Sequence, residues 1–496
     1  MADKWTAYSR ILAHEEALCR RNGVSRMERY ARSAAFYNGE NLPPDNVEQP
    51  LGINYIQAIH QQHAHYLWGE WDHDIVQFSV DHPSQEKADQ IREFCYRFLR
   101  QNDGNSLLYS GGLDGSIYGD SVYRVYWDPL DERCVLELVP PDYAHFAWHP
   151  TNPNVIQEVI ISYPIPRTQA YDLYQTEGNR AWAYDNVTKV ALSGNAMYWE
   201  HWTPYKRSTW IDDVQVQEGP NPYVAIDRLG NLLPGAVPFV HVANLRAGGE
   251  FYGFSDCEYA YLIQDEINER LADEGDIINN FAHPIIVVNG WAGDVGELPV
   301  GPDTVWDLGR EGKATILQWN GSSPTTRDYN ENVREILFET SAMSPVAFGR
   351  HKGTQPSASS LAIQMMPVTT RARWKRMLWG EGIRRLVKTA ALIEERMHGL
   401  SISQKDFSEA TIKVSFAPIL PRDRMALINE NVALMAAKAR SLPRLLRDLQ
   451  EERVEEEEQA IYDTLKKLAQ LGAKSEATGS PSVPEGPNRR TLGQND

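Results

Sequence analysis

The segment 255–283 constrains the fold most, because its residues predict one long helix with two opposed faces. Ser255 and Glu258 have the spacing of a helix capping box, and Pro284 stops the segment. A helix of about 29 residues extends about 43 Å. Its apolar residues recur mostly every four positions, which predicts that one face is buried. They are Tyr259, Ile263, Ile267, Leu271, Ile278 and Phe281.

The opposite face of this helix carries a row of carboxylates, and Arg270 is the only lysine or arginine in the segment. The row consists of Glu258, Asp265, Glu269, Asp273 and Asp276. Like charges at this spacing cost a helix roughly a few tenths of a kcal/mol per pair. Two interpretations stay open. The row is either a solvated outer face or, if many copies surround an axis, the wall of a channel through which DNA slides without sticking.

The remaining chain predicts an α+β fold. Residues 1–110 are mostly helical in pattern, with a turn at 37–44 and a new helix near Ile53. Residues 118–245 contain short β-type runs separated by turn residues, which predicts a sheet-rich subdomain. These runs are 122–127, 135–139, 155–162, 197–202 and 239–243. Gly111, Gly112, Gly115 and Gly119 precede the first run, and we expect them to form turns and loops.

A second helix and a basic segment follow. Residues 331–344 predict a helix that ends before Pro345. The loop that follows at 345–356 carries Arg350, His351 and Lys352. These side chains could contact phosphates, or they could be ordinary exposed residues. A long helix kinked near Pro367 is predicted over 357–398. It is rich in lysine and arginine, which favours either a solvated face or an intersubunit salt-bridge belt.

Composition excludes several classes of protein. The 496 residues carry a net charge of −18, which disfavours a DNA-coating role. The 4 cysteines are far apart, which argues against a disulfide framework and indicates a reducing compartment. No apolar stretch approaches the roughly 20 residues of a membrane span, and the first residues lack the apolar core of a secretory signal. We therefore expect neither export nor a membrane location.

The sequence does not contain a complete catalytic or metal-binding motif of the following kinds, because each candidate segment lacks a required residue. Gly312-Lys313 lacks the first glycine of a phosphate loop, because position 307 is aspartate. His14-Glu15 lacks the second histidine of a zinc helix, and the segment 253–257 does not match the esterase elbow GxSxG. His60, His63 and His65 cluster in a predicted helix, but no third ligand follows at helical spacing, so polar packing or a subunit contact is favoured over a metal site. No cofactor is predicted.

Several motifs, in this order, resemble the portal (connector) proteins of tailed bacteriophages. The segments FYNGE at 36–40 and INYI at 53–56 resemble the family's opening turn and following helix, and YGD at 118–120 resembles its approach to a strand. The most specific succession is VPFVHVA at 237–243, GFSD at 253–256 and QDEIN at 264–268, followed by PIIVVNG at 284–290. At 357–361, SASSL replaces the family's Ser-Gly-x-Ala-Leu start of the long helix.

The resemblance implies a ring of about twelve subunits, with wing, stem, clip and crown regions around a DNA channel. Asp265, Glu269, Asp273 and Asp276 would face the lumen or its rim. The regions would be a wing at 1–250 and 357–424, stem helices at 251–283 and 327–344, a clip at 284–326, a channel loop at 345–356, a crown at 425–472 and a disordered tail at 473–496.

The resemblance also implies a structural role without catalysis, at one vertex of the virion capsid, after assembly in the host cytoplasm. The partners would be double-stranded DNA, the terminase large subunit, the major capsid and scaffolding proteins, and head-completion or tail adaptor proteins. Two alternatives stay open at this point. One is another head–tail adaptor, and the other is a soluble hydrolase that uses an unrecognised pair of carboxylates.

Overall fold

The computed structural model describes most of the chain. The described residues are 7–13, 15, 23–40, 52–71, 73–149, 151–170, 194–226, 232–282, 285–289, 311–317, 324–350, 358–399, 402–420, separate residues between 431 and 445, and 457–467. The chain divides into two compact units, Met1–Leu420 and Pro421–Asp496. Within the second unit, residues 457–467 are helical. The elements described below belong to the first unit.

Some helices begin at capping residues that the sequence carries. Ser25 forms a capping box with Glu28, and the Asn54 side chain accepts the amide of Gln57 at 3.0 Å. A new helix near Ile53 is therefore confirmed. The main helices are α1 (Arg26–Asn38), α2 (Tyr55–Trp68), α3 (Gln85–Gln101), α4 (Gly104–Tyr118), α5 (Tyr261–Ala282), α6 (Pro324–Thr340), α7 (Ala358–Gln364), α8 (Met366–Met397) and α9 (Gln404–Glu409).

The strands confirm the sheet-rich segment predicted at 118–245, because every predicted run lies within an observed strand. The strands are β1 (Val76–Asp81), β2 (Asp120–Asp128), β3 (Arg133–Val139), β4 (Ala144–His149), β5 (Asn152–Pro166), β6 (Asn195–Trp202), β7 (Lys206–Ile211), β8 (Val214–Pro220), β9 (Ala225–Ile226), β10 (Leu232–Leu233), β11 (Phe239–Ala243), β12 (Ile285–Asn289), β13 (Lys313–Leu317) and β14 (Thr411–Phe416).

The strands form antiparallel sheets of different sizes. Strands β4 to β8 pair in chain order as a five-stranded sheet, and β2 lies between β11 and β3 in a three-stranded sheet. Strand β1 pairs with β14, with Val76 opposite Phe416, and thus joins distant parts of the chain. Strands β12 and β13 pair with Ile285 opposite Leu317. The β-type character predicted for the region after Pro284 is therefore present in its described residues.

Helix α8 supplies the centre of the main apolar core. Its buried residues pack with α2 and with strands β2, β11 and β14. Trp379 is fully buried and contacts Trp68 edge to face, with ring centroids 5.0 Å apart. Such a pair contributes about 0.5–1.5 kcal/mol beyond the burial of its area. The helix predicted over 357–398 is interrupted near Pro367, because α7 ends at Gln364 and Pro367 lies in the first turn of α8.

The glycine-rich stretch is a helix, so the prediction of turns and loops is wrong for three of its four glycines. Gly111, Gly112 and Gly115 lie inside α4, where the helix packs closely against its neighbours. A Cβ atom at Gly111 would be 1.9 Å from the hydroxyl of Tyr123, and one at Gly112 would be 2.5 Å from Nε1 of Trp68. Close packing therefore explains these glycines. Gly119 does end the helix, with a φ of 92°.

The two helices after residue 255 differ from their predicted bounds. Helix α5 begins at Tyr261 rather than Ser255, so the predicted capping box is wrong. The reason is tertiary, because the Ser255 hydroxyl donates to the carbonyl of Ser116 at 3.1 Å and the Asp256 amide donates to the same carbonyl at 2.9 Å. Helix α6 begins at Pro324, earlier than the predicted residue 331, and ends at Thr340.

Candidate functional site

The acidic face of α5 is exposed, as the sequence pattern predicts. Asp265, Glu269, Asp273 and Asp276 are all exposed, and at about 100° per residue they share one side of the helix. Because the helix has few basic residues, this side presents mainly carboxylates to its surroundings. The four residues are called the acidic face below.

The opposite side of α5 is buried against α6. Ile267 is buried, and Ile263 and Leu271 pack against the same apolar cluster, which includes Val333 and Leu337 of α6. Contacts between the helices also include polar pairs, because Tyr329 donates its hydroxyl hydrogen to Glu266 at 3.0 Å and Asn330 donates to Glu274. This packing fixes which side of α5 stays exposed.

Arg270 neutralises part of the charge beside the acidic face. Its guanidinium donates to Glu266 at 2.7 Å and to Asp273 at 2.8 Å. The bond from Arg270 holds the pKa of Glu266 below its ordinary value. Asp265, Glu269 and Asp276 keep the face negative.

Two residues predicted for these faces lie elsewhere. Glu258 precedes the helix, is largely buried and has its Oε1 3.9 Å from Nε of Arg29, so it is not part of the acidic face. Tyr259 also precedes the helix and is 65% exposed, contrary to its predicted place in the buried stripe. Both errors have one cause, the late start of α5. The side chains of Ile278 and Phe281 lie outside the described residues.

A buried ion pair holds the segment before α5 against α8. Lys375 Nζ donates to Asp256 Oδ2 at 2.7 Å, and both side chains are almost completely buried. Arg371 donates to the backbone carbonyls of Asp256 at 3.0 Å and Ser341 at 2.6 Å. The start of α5, the end of α6 and α8 therefore meet at one set of polar contacts, which we call the buried anchor.

Within the buried anchor, the charges of Asp256 and Lys375 stabilise each other. Burial alone would raise the pKa of Asp256, but the surrounding positive groups, Lys375 foremost, hold it well below its ordinary range. Burial lowers the pKa of Lys375 from its ordinary value, and Asp256 opposes that effect. No sequence motif revealed this pair, because its members are 119 positions apart.

The histidine cluster supports the same anchor. His60 Nδ1 lies 2.9 Å from the Ser116 hydroxyl, and His63 Nε2 donates to the Ser341 carbonyl at 2.9 Å. Burial lowers the pKa of His60 to about 3 and that of His63 to about 4, so both rings are neutral near pH 7. His65 is only partly buried, and its ring lies edge-on to that of Tyr66. The three rings contact different partners, as expected for polar packing.

Another cluster has donor atoms within 4.8 Å of one another, namely those of His82, Asp406 and Glu409. A cation from the chain already pairs with it, because Lys87 Nζ donates to Asp406 Oδ1. The other oxygen, Asp406 Oδ2, accepts the Ser403 amide at 2.9 Å at the start of α9. These contacts make the cluster a helix cap with an ion pair.

The predicted phosphate-contacting loop is described only at its beginning. Residues Pro345–Phe348 form a 3₁₀ turn capped by Ser344, and Gly349 follows with a φ of 71°. Arg350 is exposed, and its amide donates to the Pro345 carbonyl at 3.1 Å. His351 and Lys352 lie outside the described residues.

The basic residues of α8 fall into two groups. Several make hydrogen bonds within the fold, as the anchor residues Arg371 and Lys375 do. Arg376 donates to the Leu67 carbonyl at 2.7 Å, and Arg385 donates to the His241 carbonyl at 2.8 Å. Others remain at the surface. Arg373, Lys388 and Arg396 are exposed, and Arg384 pairs with Glu381. An intersubunit belt could therefore use only part of the basic set.

Among the described residues, no helix is long and apolar enough to span a bilayer. Comparison with curated proteins gives no match. The family model described as "Phage portal protein, SPP1 Gp6-like" matches residues 17–467, which is most of the chain. The order of the sequence motifs and the family match agree, and the chain belongs to the phage portal protein family.

Proposed function

We propose that this structural portal protein forms a ring of about twelve copies around a channel for double-stranded DNA. The terminase large subunit would drive DNA inward through the channel, and the same channel would release it at ejection. Membership of the portal family supports a ring in the capsid. The observation that carries the channel proposal is the exposed acidic face on α5, opposite the side that packs on α6.

The charge of the acidic face suits passage rather than binding. DNA carries one phosphate charge about every 1.7 Å along its axis, and proteins that hold it do so with lysine and arginine. A wall of carboxylates repels the phosphates and keeps the duplex away from fixed contacts. The packing of the apolar side of α5 on α6 stabilises the helix and offsets the small cost of the like charges along the acidic face.

The proposed regions follow the implied order along the chain. The stem would use 251–283 and 327–344, the clip 284–326 and the channel loop 345–356 with Arg350, His351 and Lys352. The wing would comprise 1–250 and 357–424 and the crown 425–472, while the tail predicted at 473–496 lies outside the described residues. Capsid and scaffolding proteins would contact the ring in the host cytoplasm, and head-completion or tail adaptor proteins would join later.

The family match distinguishes between the alternatives. A structural, non-enzymatic family disfavours a hydrolase with an unrecognised carboxylate pair. It also disfavours a different head–tail adaptor, because the match covers residues 17–467 and therefore both stem helices and the region between them.

The test is DNA packaging into procapsids that carry a variant ring. Neutralisation of the acidic face (D265N, E269Q, D273N and D276N) is expected to slow packaging at least about fivefold, because the duplex then adheres to the wall. A control with four other exposed acids neutralised (E86Q, E93Q, D131N and E132Q) should package normally. Normal packaging by intact rings of the acidic-face variant would contradict the channel proposal.

A further inference from the structure

Two exposed helix faces of the first unit have opposite charge and matching apolar content. On α6, four carboxylates are exposed between residues 328 and 340, and no exposed lysine or arginine lies among them. They are Asp328, Glu331, Glu335 and Glu339. Ile336, which is 49% exposed, lies at the edge of the same side. We call this surface the α6 face.

The second surface lies along one side of α8. Met366, Arg373, Trp374, Met377 and Lys388 are exposed and recur at helical intervals, so they share one side of the helix. Met377 is 68% exposed and Trp374 is 48% exposed, and at a spacing of three residues they form one apolar patch on this side. The charged residues of this side are mostly basic, with Glu381 paired to Arg384. We call it the α8 face.

The two faces do not meet within one copy. The buried sides of both helices contribute to a single apolar cluster, in which Val333 and Leu337 of α6 join Val368 of α8 and Met365, which directly precedes α8. Each helix therefore turns its inner side toward this cluster and its exposed face away from it. A second copy of the chain can bring an acidic, apolar surface against a basic, apolar one.

We propose that the α8 face of one subunit packs on the α6 face of the next. This inference rests on the proposed ring, and it assigns the contact that closes the ring to particular residues. The contact joins different surfaces of two identical chains, and such head-to-tail contacts generate rings when the rotation closes. Trp374 and Met377 supply apolar anchors, as large buried side chains do at protein interfaces. Arg373 and Lys388 meet the carboxylates of the α6 face and select the register.

The test measures the mass of the purified full-length protein by native mass spectrometry. M377D, and separately W374A, are expected to reduce the ring fraction at least about tenfold, because an interface anchor is lost. Leu130 is 91% exposed and lies outside both faces, so L130D is the matched control and should form rings. Far-ultraviolet circular dichroism spectra of the variants should match that of the wild type, because the substituted side chains are exposed and the fold of each subunit does not depend on them.

Charge reversal separates the interface from other roles of the α8 face. R373E with K388E should abolish rings, as should E331K with E335K and E339K, whereas the chain that carries all five changes should recover them. Rings of normal mass from M377D and from R373E/K388E would overturn the assignment. Loss of DNA retention by rings that stay intact would also overturn it, because the α8 face would then be a DNA surface. Absence of rings from the wild type would contradict the proposed function itself.

Discussion

At the scale of single residues, the buried anchor ties the start of α5 to α8. Asp256 and Lys375 are nearly inaccessible and 2.7 Å apart, so each charge depends on the other. Removal of one partner from a buried pair costs about 3–5 kcal/mol, because the remaining charge is uncompensated. We expect Lys375→Met to lower the free energy of unfolding by that amount in chemical denaturation.

Arg396→Met is the matched control, because Arg396 is exposed on the same helix and lies outside the α8 face. It should change the free energy of unfolding by no more than about 0.5 kcal/mol. Equal, small effects of the two substitutions would contradict the anchor. A double variant with Asp256→Asn should be less destabilised than the sum of the single variants, since the unpaired charge is gone.

The buried histidines predict how stability depends on pH. Burial lowers the pKa of His63 to about 4, whereas an unfolded histidine titrates near 6.5. Above pH 6.5 both states are neutral. As pH falls from 6.5 toward 4, the unfolded chain binds a proton that the folded chain excludes, so stability is lost. At pH 5 the loss from this residue is about 2 kcal/mol.

Thermal unfolding at pH 7 and pH 5 checks this prediction. The melting temperature of the wild type should fall between these values, and the fall should be smaller in His63→Gln, which can still donate to the Ser341 carbonyl. His73 is exposed, and His73→Gln should behave as the wild type. An identical pH dependence in His63→Gln and wild type would exclude this contribution.

At the scale of elements, the sequence predicts patterns better than contacts. The period of α5 correctly identifies an exposed acidic face within the helix, because spacing near four residues places the apolar side chains on one side and the carboxylates on the other. The capping box at Ser255 was wrong, because hydrogen bonds from Ser255 and Asp256 to Ser116 hold the backbone against α4. Strands β4, β7 and β8 were not predicted, and no distinct run marked them. A distant partner decided the start of α5, because Ser116 lies in α4.

Helix α4 gives the sharpest test of an element, because its glycines are needed for packing rather than for turns. Gly111→Ala should destabilise the protein by about 1–3 kcal/mol, since the new methyl group would overlap the buried Tyr123 hydroxyl. Gly275→Ala in α5 is the control, because nothing lies within 4 Å of its added Cβ. It should stabilise the protein by up to about 1 kcal/mol. Stabilisation by both substitutions, measured by thermal unfolding, would contradict the close packing of α4.

At the scale of the whole molecule, the order of segments predicted more than any single motif. The phosphate-loop, zinc and esterase patterns all failed, while the succession from FYNGE to PIIVVNG indicated the portal family, and the family match confirmed it. The buried anchor could not be predicted this way, because its residues come from distant segments. The α6 and α8 faces could be identified only from the burial of their side chains, because the sequence alone does not distinguish the exposed basic residues of the long helix from the buried ones.

The central claim is a ring whose channel is lined by the acidic face. Electron cryo-microscopy of the purified full-length protein tests it most directly. The account predicts rings of about twelve 56.3 kDa chains, about 680 kDa in total, with a central hole and with Asp265, Glu269, Asp273 and Asp276 facing it. A stable monomer across several salt concentrations, or a ring in which these carboxylates face outward, would contradict the account.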